Sequence, residues 1–301
     1  MFNFYITVMD LEKITRIKEI AIKAMFSDDY LMDVLVLKGG NALDIIYKIA
    51  QRSSIDLDFS MESEFPEDKR AEIEGKIETL LIHEFEENDF EVFDIIFRDK
   101  PPIITDDMKD FWGGYEITFK ILDKSKKLGE RDNLENRRRN AEPINHMQHK
   151  VFKIDISKYE FCTGKVNREL DDLTIFLYSP TMIAIEKLRA ICQQTDEYRN
   201  QVKSHEPVPR ARDFFDIYTI IKNYNIDLYS NENITLLKNI FSAKKVDLHL
   251  LNEINRYKAL HKSGFQGLLD TLKSDVKAKS FDHYFNYVIA ICKKLKSLRI
   301  I

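Results

Sequence analysis

Three cysteines in 301 residues, Cys162, Cys192 and Cys292, are too few and too far apart for a disulfide scaffold. They read as reduced thiols of an intracellular protein. None is paired with a second Cys or a His at zinc-ligand spacing, and the seven histidines are scattered, so the sequence offers no zinc site. Nine glycines and seven prolines exclude fibrous and low-complexity classes. No run of about 18 apolar residues exists, which argues against a membrane-spanning helix. The start, Met1-Phe-Asn-Phe-Tyr5, lacks the basic and apolar regions of a secretory signal. The expected location is the cytoplasm, with no membrane partner. No internal repeat appears.

What remains is a globular chain, 44% apolar and 32% charged, long enough for one large domain or two ordinary ones. Its net charge of −4 hides an asymmetry. Residues 233–301 carry 13 Lys and Arg against 5 Asp and Glu, a net of +8 that leaves −12 for the rest. An acidic part with a basic tail suits a protein that holds metal in one place and a polyanion in another. The competing reading is a solvated, lysine-rich helical surface.

The chain is organised around Leu37–Ser60. An apolar run ending at Leu37 meets the glycine pair Gly39-Gly40, and Ala42, Leu43, Ile46 and Ile49 follow at helical spacing. A strand then alternates, with Ile55, Leu57 and Phe59 on one face and Ser54, Asp56, Asp58 and Ser60 on the other. Carboxylates two apart on one strand face can share a divalent cation. A glycine turn opening a helix offers backbone N–H groups to phosphate. Together they point to phosphoryl or nucleotidyl chemistry.

Around this unit, Asp10 is expected to cap a first helix with Leu11, Ile14, Ile17, Ala21 and Ala24 facing inward. A helix is expected from Pro66 to about Glu86, and strands at 90–97 (Phe93, Ile95 and Phe97 on one face) and 115–121. Residues 123–150 read as a loop with a short helix; Arg137-Arg138-Arg139 there is a candidate phosphate contact or a solvated run. Val151–Ser157 alternates like the first acidic strand and places Asp155 on its polar face. If the two strands are neighbours, Asp56, Asp58 and Asp155 converge. A last strand, Leu173–Tyr178, closes the α/β part.

Ser179-Pro180 starts a helix to about Thr195, with Met182, Ile185, Leu188 and Cys192 on one face and Lys187 off it. A polar loop, Glu197–Pro209, follows. The next helix begins at Arg210 and sets Arg212 and Asp216 at i and i+4, beside Asp213. Beyond Asn223 the apolar stripes are helical: Ile234 to Phe241, Leu248 to Tyr257, Phe265 to Val276, and Phe281 to Leu298. The expected domains are 1–178 and a helical bundle, 179–301, whose first two helices add Lys187 and Asp216 to the cleft.

Lys38-Gly-Gly-Asn-Ala-Leu43, Tyr47 and Arg52-Ser-Ser-Ile-Asp-Leu-Asp58 resemble the AbiEii-type nucleotidyltransferase toxins of bacterial toxin–antitoxin and abortive-infection systems. Ile185-Glu-Lys-Leu-Arg-Ala190 resembles that family's lysine-bearing helix, and Arg212-Asp-Phe-Phe-Asp216 its Arg-x-x-x-Asp motif. The blocks span roughly residues 30–220. The resemblance implies an α+β fold: a DNA polymerase-β-like nucleotidyltransferase domain with a mixed sheet, followed by the helical bundle. It implies an NTP substrate and a two-ion Mg²⁺ site. Asp56, Asp58 and Asp155 would hold metal, with Asp155 also favouring deprotonation of the acceptor hydroxyl. Gly39 and Gly40 would present N–H groups to the triphosphate, and Lys187 would neutralise its outer phosphates. Asp216 and Arg212 would orient that lysine or the base. Gly40 stands where the superfamily has serine, so the phosphate-binding hydroxyl would come from Ser53 or Ser54.

Three functions follow as expectations. The first is transfer of a nucleotide to RNA, a tRNA 3′ end, with the basic C-terminal helices holding the RNA. The second is nucleotidylation of a protein hydroxyl. The third is nucleotide binding without turnover. The resemblance also implies a cognate antitoxin.

Overall fold

The computed structural model describes residues 6–301 other than 53, 55, 127–132, 145–148 and 204, with side chains from Glu12 onward. Helices α1 (Ile6–Phe26) and α2 (Asp29–Val34) lead into β1 (Val36–Lys38). A helical turn, α3 (Gly39–Asn41), continues as a π-helical turn (Ala42–Ile46) before β2 (Leu57–Ser60). Then come α4 (Arg70–Glu86), β3 (Phe90–Lys100), β4 (Gly114–Asp123), α5 (Leu134–Asn140), β5 (Phe152–Ser157), β6 (Val166–Leu170) and β7 (Leu173–Leu177).

The strands form one mixed sheet in the order β3-β4-β5-β2-β1-β7-β6. β2 runs parallel to β5, and β1 parallel to β7. Alternation decides which face is covered. Phe59 meets Phe26 of α1 at 5.9 Å, and Phe119 meets Phe85 of α4 at 5.8 Å between ring centroids. One sheet face is therefore apolar and roofed by α1 and α4, leaving the other face for polar side chains.

Several expectations change. α1 already runs from Ile6, so Asp10 lies within it and does not cap it; Ile6-Thr-Val-Met9 contains no breaker that would stop the helix. Leu11 and Ile55 have no described side chain. In β3 the register against β4 shifts between Phe93 and Ile96, with Asp94 at φ 53°. The extra residue of this bulge puts Val92 and Phe97 together on the apolar face and Phe93 with Ile96 on the other. β6 was not expected. Its Asn167, Arg168 and Glu169 are exposed, as suits the edge strand it is.

The helical part begins with α6 (Pro180–Cys192), capped as expected by the Ser179 hydroxyl, which accepts from the Met182 N–H at 3.2 Å. It stops at Cys192, short of Thr195. Then follow α7 (Asp196–Arg199), α8 (Ala211–Tyr224), α9 (Asn231–Ala243), two 3₁₀ segments (Leu248–Asn252 and Ile254–Tyr257), α10 (Lys258–Ser263), α11 (Phe265–Leu269) and α12 (Phe281–Ser297). The expected helix through Val276 ends at Leu269. Leu272 instead forms a β-bridge with Arg52, and the Lys273 N–H donates to the Gln51 carbonyl at 3.0 Å. No described helix is long and apolar enough to cross a membrane.

His261 in α10 is fully buried against Phe214, and its Nδ1 accepts from the Arg210 N–H at 3.3 Å. Burial pushes its imidazole down to about 4, against the pull of Asp213. The folded state thus holds this ring neutral where the unfolded chain would protonate it. Its contribution is complete above about pH 6.5 and is lost as pH falls toward 4. A His261→Gln variant should therefore lose less stability than wild type between pH 6.5 and 4, by up to about 3 kcal/mol in urea titrations.

Candidate active site

The site is built on one row across five strands. In register, Lys38 of β1 faces Asp58 of β2, Asp58 faces Asp155 of β5, Asp155 faces Glu116 of β4, and Glu116 faces Arg98 of β3. All five project to the same sheet face because directly paired residues do. The two strands bearing Asp58 and Asp155 are neighbours, as the convergence of carboxylates required.

Asp56 lies one residue ahead of β2, in the turn, with its carbonyl accepting from Asn41 Nδ2 at 2.5 Å. It is thus not on the strand face expected for it, but it remains in the group. Burial raises its carboxyl, and Asp155 and Glu116 add to the rise against Lys153 and Lys100. Asp58 is pushed up to about 7 by burial, with Asp155 and Glu186 raising and Lys38 and Lys187 lowering. Among the described residues none donates a hydrogen bond to the Asp58 carboxylate. Lys100 engages Asp155, whereas among the described residues no cation forms an ion pair with the Asp58 carboxylate.

Gly39 closes against it. Its φ is +71°, and a Cβ there would stand 2.6 Å from Asp58 Oδ2. The glycine is required twice, by its left-handed backbone and by the carboxylate. A Cβ on Gly40 would meet Ser54 Oγ at 2.8 Å, so the Ser54 hydroxyl sits over the turn where the phosphate-binding hydroxyl was sought. Ser53 lies outside the described residues. A Gly39→Ala variant should lose on the order of 100-fold in turnover by displacing Asp58, with about 1–2 kcal/mol of backbone strain visible in a thermal melt.

Opposite the turn, Lys187 of α6 and Asp213 and Asp216 of α8 join Arg52, which precedes β2, in a buried charged quartet. Arg52 donates to both Asp216 oxygens, Nε at 2.9 Å and Nη2 at 2.6 Å. Lys187 Nζ lies 2.8 Å from Asp216 and 3.0 Å from Asp213. Lys187 is only 6% exposed, not off the buried face, because α6 is enclosed by both α8 and α9. Arg212 and Asp216 do not pair: Arg212 Nη2 donates to the Gly267 carbonyl at 3.1 Å, and Asp216 turns inward to Arg52 and Lys187. Burial acts to raise the Asp216 carboxyl, and Arg52 and Lys187 overcome it, holding it at about 2.

A second buried network lies beneath. Glu160 accepts from Arg189 at 2.7 and 3.1 Å, and Lys38 Nζ reaches Glu186 at 3.2 Å and Ser157 Oγ at 3.2 Å. Sequence reasoning assigned no role to Lys38, Arg52, Glu160, Glu186 or Arg189. The available signal was charge in apolar surroundings: Lys38 ends an apolar strand, and Glu186 and Arg189 sit in an apolar helix. Arg137 and Arg138 are engaged by Glu91 and Asp94, not left as a free phosphate site.

Between turn and helices opens a cleft of about 520 Å³ lined by Gly39, Gly40, Ser54, Asp56, Asp58 and Lys187, with Arg52, Arg210 and Arg212 around it. Carboxylates with a glycine turn on one wall and cations on the other give the cleft groups of both signs, a chemistry that can take a polyphosphate with its counter-ion.

The sequence profile of the AbiEii nucleotidyl transferase toxins of type IV toxin–antitoxin systems matches residues 20–287, and the chain belongs to that family. It is a nucleotidyltransferase. Among curated proteins none matches it. Two solved structures resemble it at low identity. JHP933 from Helicobacter pylori has 18% identity and a TM-score of 0.49, covering 97% of this chain and 96% of that one. An antigenic nucleotidyltransferase-like protein from Paracoccidioides brasiliensis has 14% identity and a TM-score of 0.37, covering 78% and 94%.

A Mg²⁺ site fits the residues present. The donors are all carboxylate oxygens, and their mutual repulsion leaves room for a cation. Among the described residues no three of His, Cys, Asp and Glu enclose a metal by themselves; Asp155 is occupied by Lys100 Nζ at 2.7 Å. Mg²⁺ keeps waters and takes substrate phosphates, so one or two carboxylates suffice.

Proposed function

We propose that this chain transfers a nucleoside monophosphate from an NTP to the 3′ end of an RNA, a tRNA by preference, in a Mg²⁺-dependent reaction. The observation that carries the reading is the contact of the Gly39 turn with the Asp58 carboxylate at the mouth of a cation-lined cleft. The acceptor hydroxyl oxygen attacks the α-phosphorus, its bond to pyrophosphate breaks, and the hydroxyl proton leaves toward Asp155. Gly39 and Gly40 N–H groups and the Ser54 hydroxyl hold the triphosphate. Lys187, oriented by Asp216 and Asp213, places a fixed positive charge on the cleft wall for the outer phosphates. Arg212 lies at the rim for the nucleotide. Asp56 and Asp58, with Asp155 once freed from Lys100, would hold Mg²⁺. When bound, Mg²⁺ would supply charge neutralisation to the reacting phosphate.

RNA fits the charge distribution. Among the described residues, Lys238, Lys277, Lys293, Lys296 and Arg299 form no ion pair with this chain, whereas the cleft cations Arg52 and Lys187 are paired. These residues lie on and beside the C-terminal helices, where residues 233–301 carry a net charge of +8. The family implies a cognate antitoxin as a further partner. The test is incubation with each labelled NTP, Mg²⁺ and total cellular RNA, with and without EDTA. Labelled RNA that disappears with EDTA is the expected result. Labelled protein with unlabelled RNA would replace this reading with protein nucleotidylation; bound NTP without any product would leave a binding protein.

A further inference from the structure

The cross-strand row has two ends, and only one is used by the cleft. Lys38 and Asp58 line the cleft; Glu116 and Arg98 lie beyond Asp155, across β4 and β3. Arg98 stands three strands from Asp58, roughly 15 Å at ordinary strand spacing. Around that far end, three cations serve two carboxylates. Arg98 Nε donates to Glu116 Oε1 at 2.8 Å. Lys100 Nζ lies 3.2 Å from Glu116 and 2.7 Å from Asp155, and Lys153 Nζ lies 3.6 Å from Glu116. Lys100 reaches Asp155 over Gly114, which faces it in register and presents no side chain.

The carboxylates are the covered partners and the cations the exposed ones. The Glu116 side chain is 9% exposed, against 58% for Arg98, 49% for Lys100 and 35% for Lys153. Arg98 has five N–H donors and engages one carboxylate, so its fork retains donors for a further acceptor. The strip is positive by one charge and open to solvent, directly beside a group of carboxylates that would repel any polyanion.

In-line transfer sets the direction of approach: the attacking oxygen enters opposite the leaving pyrophosphate. With the triphosphate in the cleft at the Lys38 end, the acceptor comes from the Arg98 end. We propose that Arg98, Lys100 and Lys153 form the docking strip for the backbone phosphates of the acceptor RNA next to its reacting end. This deepens the reading of the protein as an RNA nucleotidyltransferase and rests on it. Lys100 then has two states, bridging Asp155 and Glu116 in the free protein and turned to phosphate when acceptor and metal arrive.

The test compares the full chain with Arg98→Gln/Lys153→Gln, which keeps side-chain bulk, and with the charge-preserving Arg98→Lys/Lys153→Arg. Binding of a fluorescent single-stranded RNA, without NTP, is read by anisotropy over a salt series. Loss of two phosphate contacts should lower the slope of log K against log salt by about 1.4 and weaken binding about tenfold or more at low salt. In transfer assays the RNA KM should rise by a similar factor and the NTP KM stay unchanged. The charge-preserving variant should bind RNA near wild-type strength, which separates charge from fold. RNA binding and slope unchanged in the Gln variant, or absent in the wild type, overturn the strip. If the wild type binds RNA through the strip yet labels none, the transfer reading fails while the strip stands.

Discussion

Asp58→Asn should abolish transfer while leaving the protein folded. The carboxylate is buried against Gly39, faces Asp155 in register, and has no hydrogen-bond donor among the described residues. Burial and its like-charged neighbours oppose its negative charge, and the attraction of Lys38 and Lys187 does not overcome them, since the carboxyl stays raised to about 7. An asparagine of the same shape removes that repulsion and keeps the contact with the turn. The thermal midpoint should hold or rise. Activity should fall by on the order of 1,000-fold, since the metal's charge stabilisation of the transition state is worth several kcal/mol. Mg²⁺ binding by calorimetry should weaken in parallel. A variant that keeps more than a tenth of wild-type turnover would remove Asp58 from the reaction.

Asp216→Ala should behave in the opposite way and damage both stability and activity. Asp216 holds Arg52 by two hydrogen bonds and Lys187 by a third contact, with all three side chains under 10% exposed. Truncation takes from a buried guanidinium its bidentate carboxylate, and from the lysine one of its two carboxylates. Breaking a buried pair from one side costs about 3–5 kcal/mol, and for a chain this size that lowers the melting midpoint on the order of 10 °C. Turnover should fall too, since Lys187 loses one of two anchors. Asp216→Asn should fall between, keeping acceptors for hydrogen bonds but not the charge. An unchanged melt for Asp216→Ala would show that the quartet is not structural. The two variants thus separate groups that store charge for chemistry from groups that use charge to hold the cleft shut.

The parts of this site written in local sequence were legible. The glycine pair, the alternation around Asp58 and that around Asp155 each need only neighbouring residues, and the sheet brought the two acidic strands side by side. The helix at Ser179-Pro180 was legible from its cap. What failed depended on distance along the chain. The i,i+4 spacing of Arg212 and Asp216 says nothing of the partner that holds Asp216, since an exposed pair at that spacing is worth only a few tenths of a kcal/mol; a bidentate partner 164 residues away took it. Lys187 read as lying off the buried face because one stripe cannot describe a helix enclosed by two others. The β3 bulge was invisible because Asp94, in a left-handed conformation, is held by Arg138 and Lys120 from other elements. Charge networks such as Lys38–Glu160 and Arg189–Glu160 leave no periodic trace.

The bridge between Arg52 and Leu272, with Lys273 on Gln51 and Asp44, has a temporal consequence. The motif loop is finished by a segment made more than 200 residues after it. At about 5–20 residues per second, a ribosome needs roughly 10–40 s to travel from Asp58 to Lys273. During that interval the nascent chain carries its acidic strands and glycine turn without the far wall that fixes them. Catalytic competence is therefore expected late in synthesis, and a fragment that stops before the bridge should lack activity.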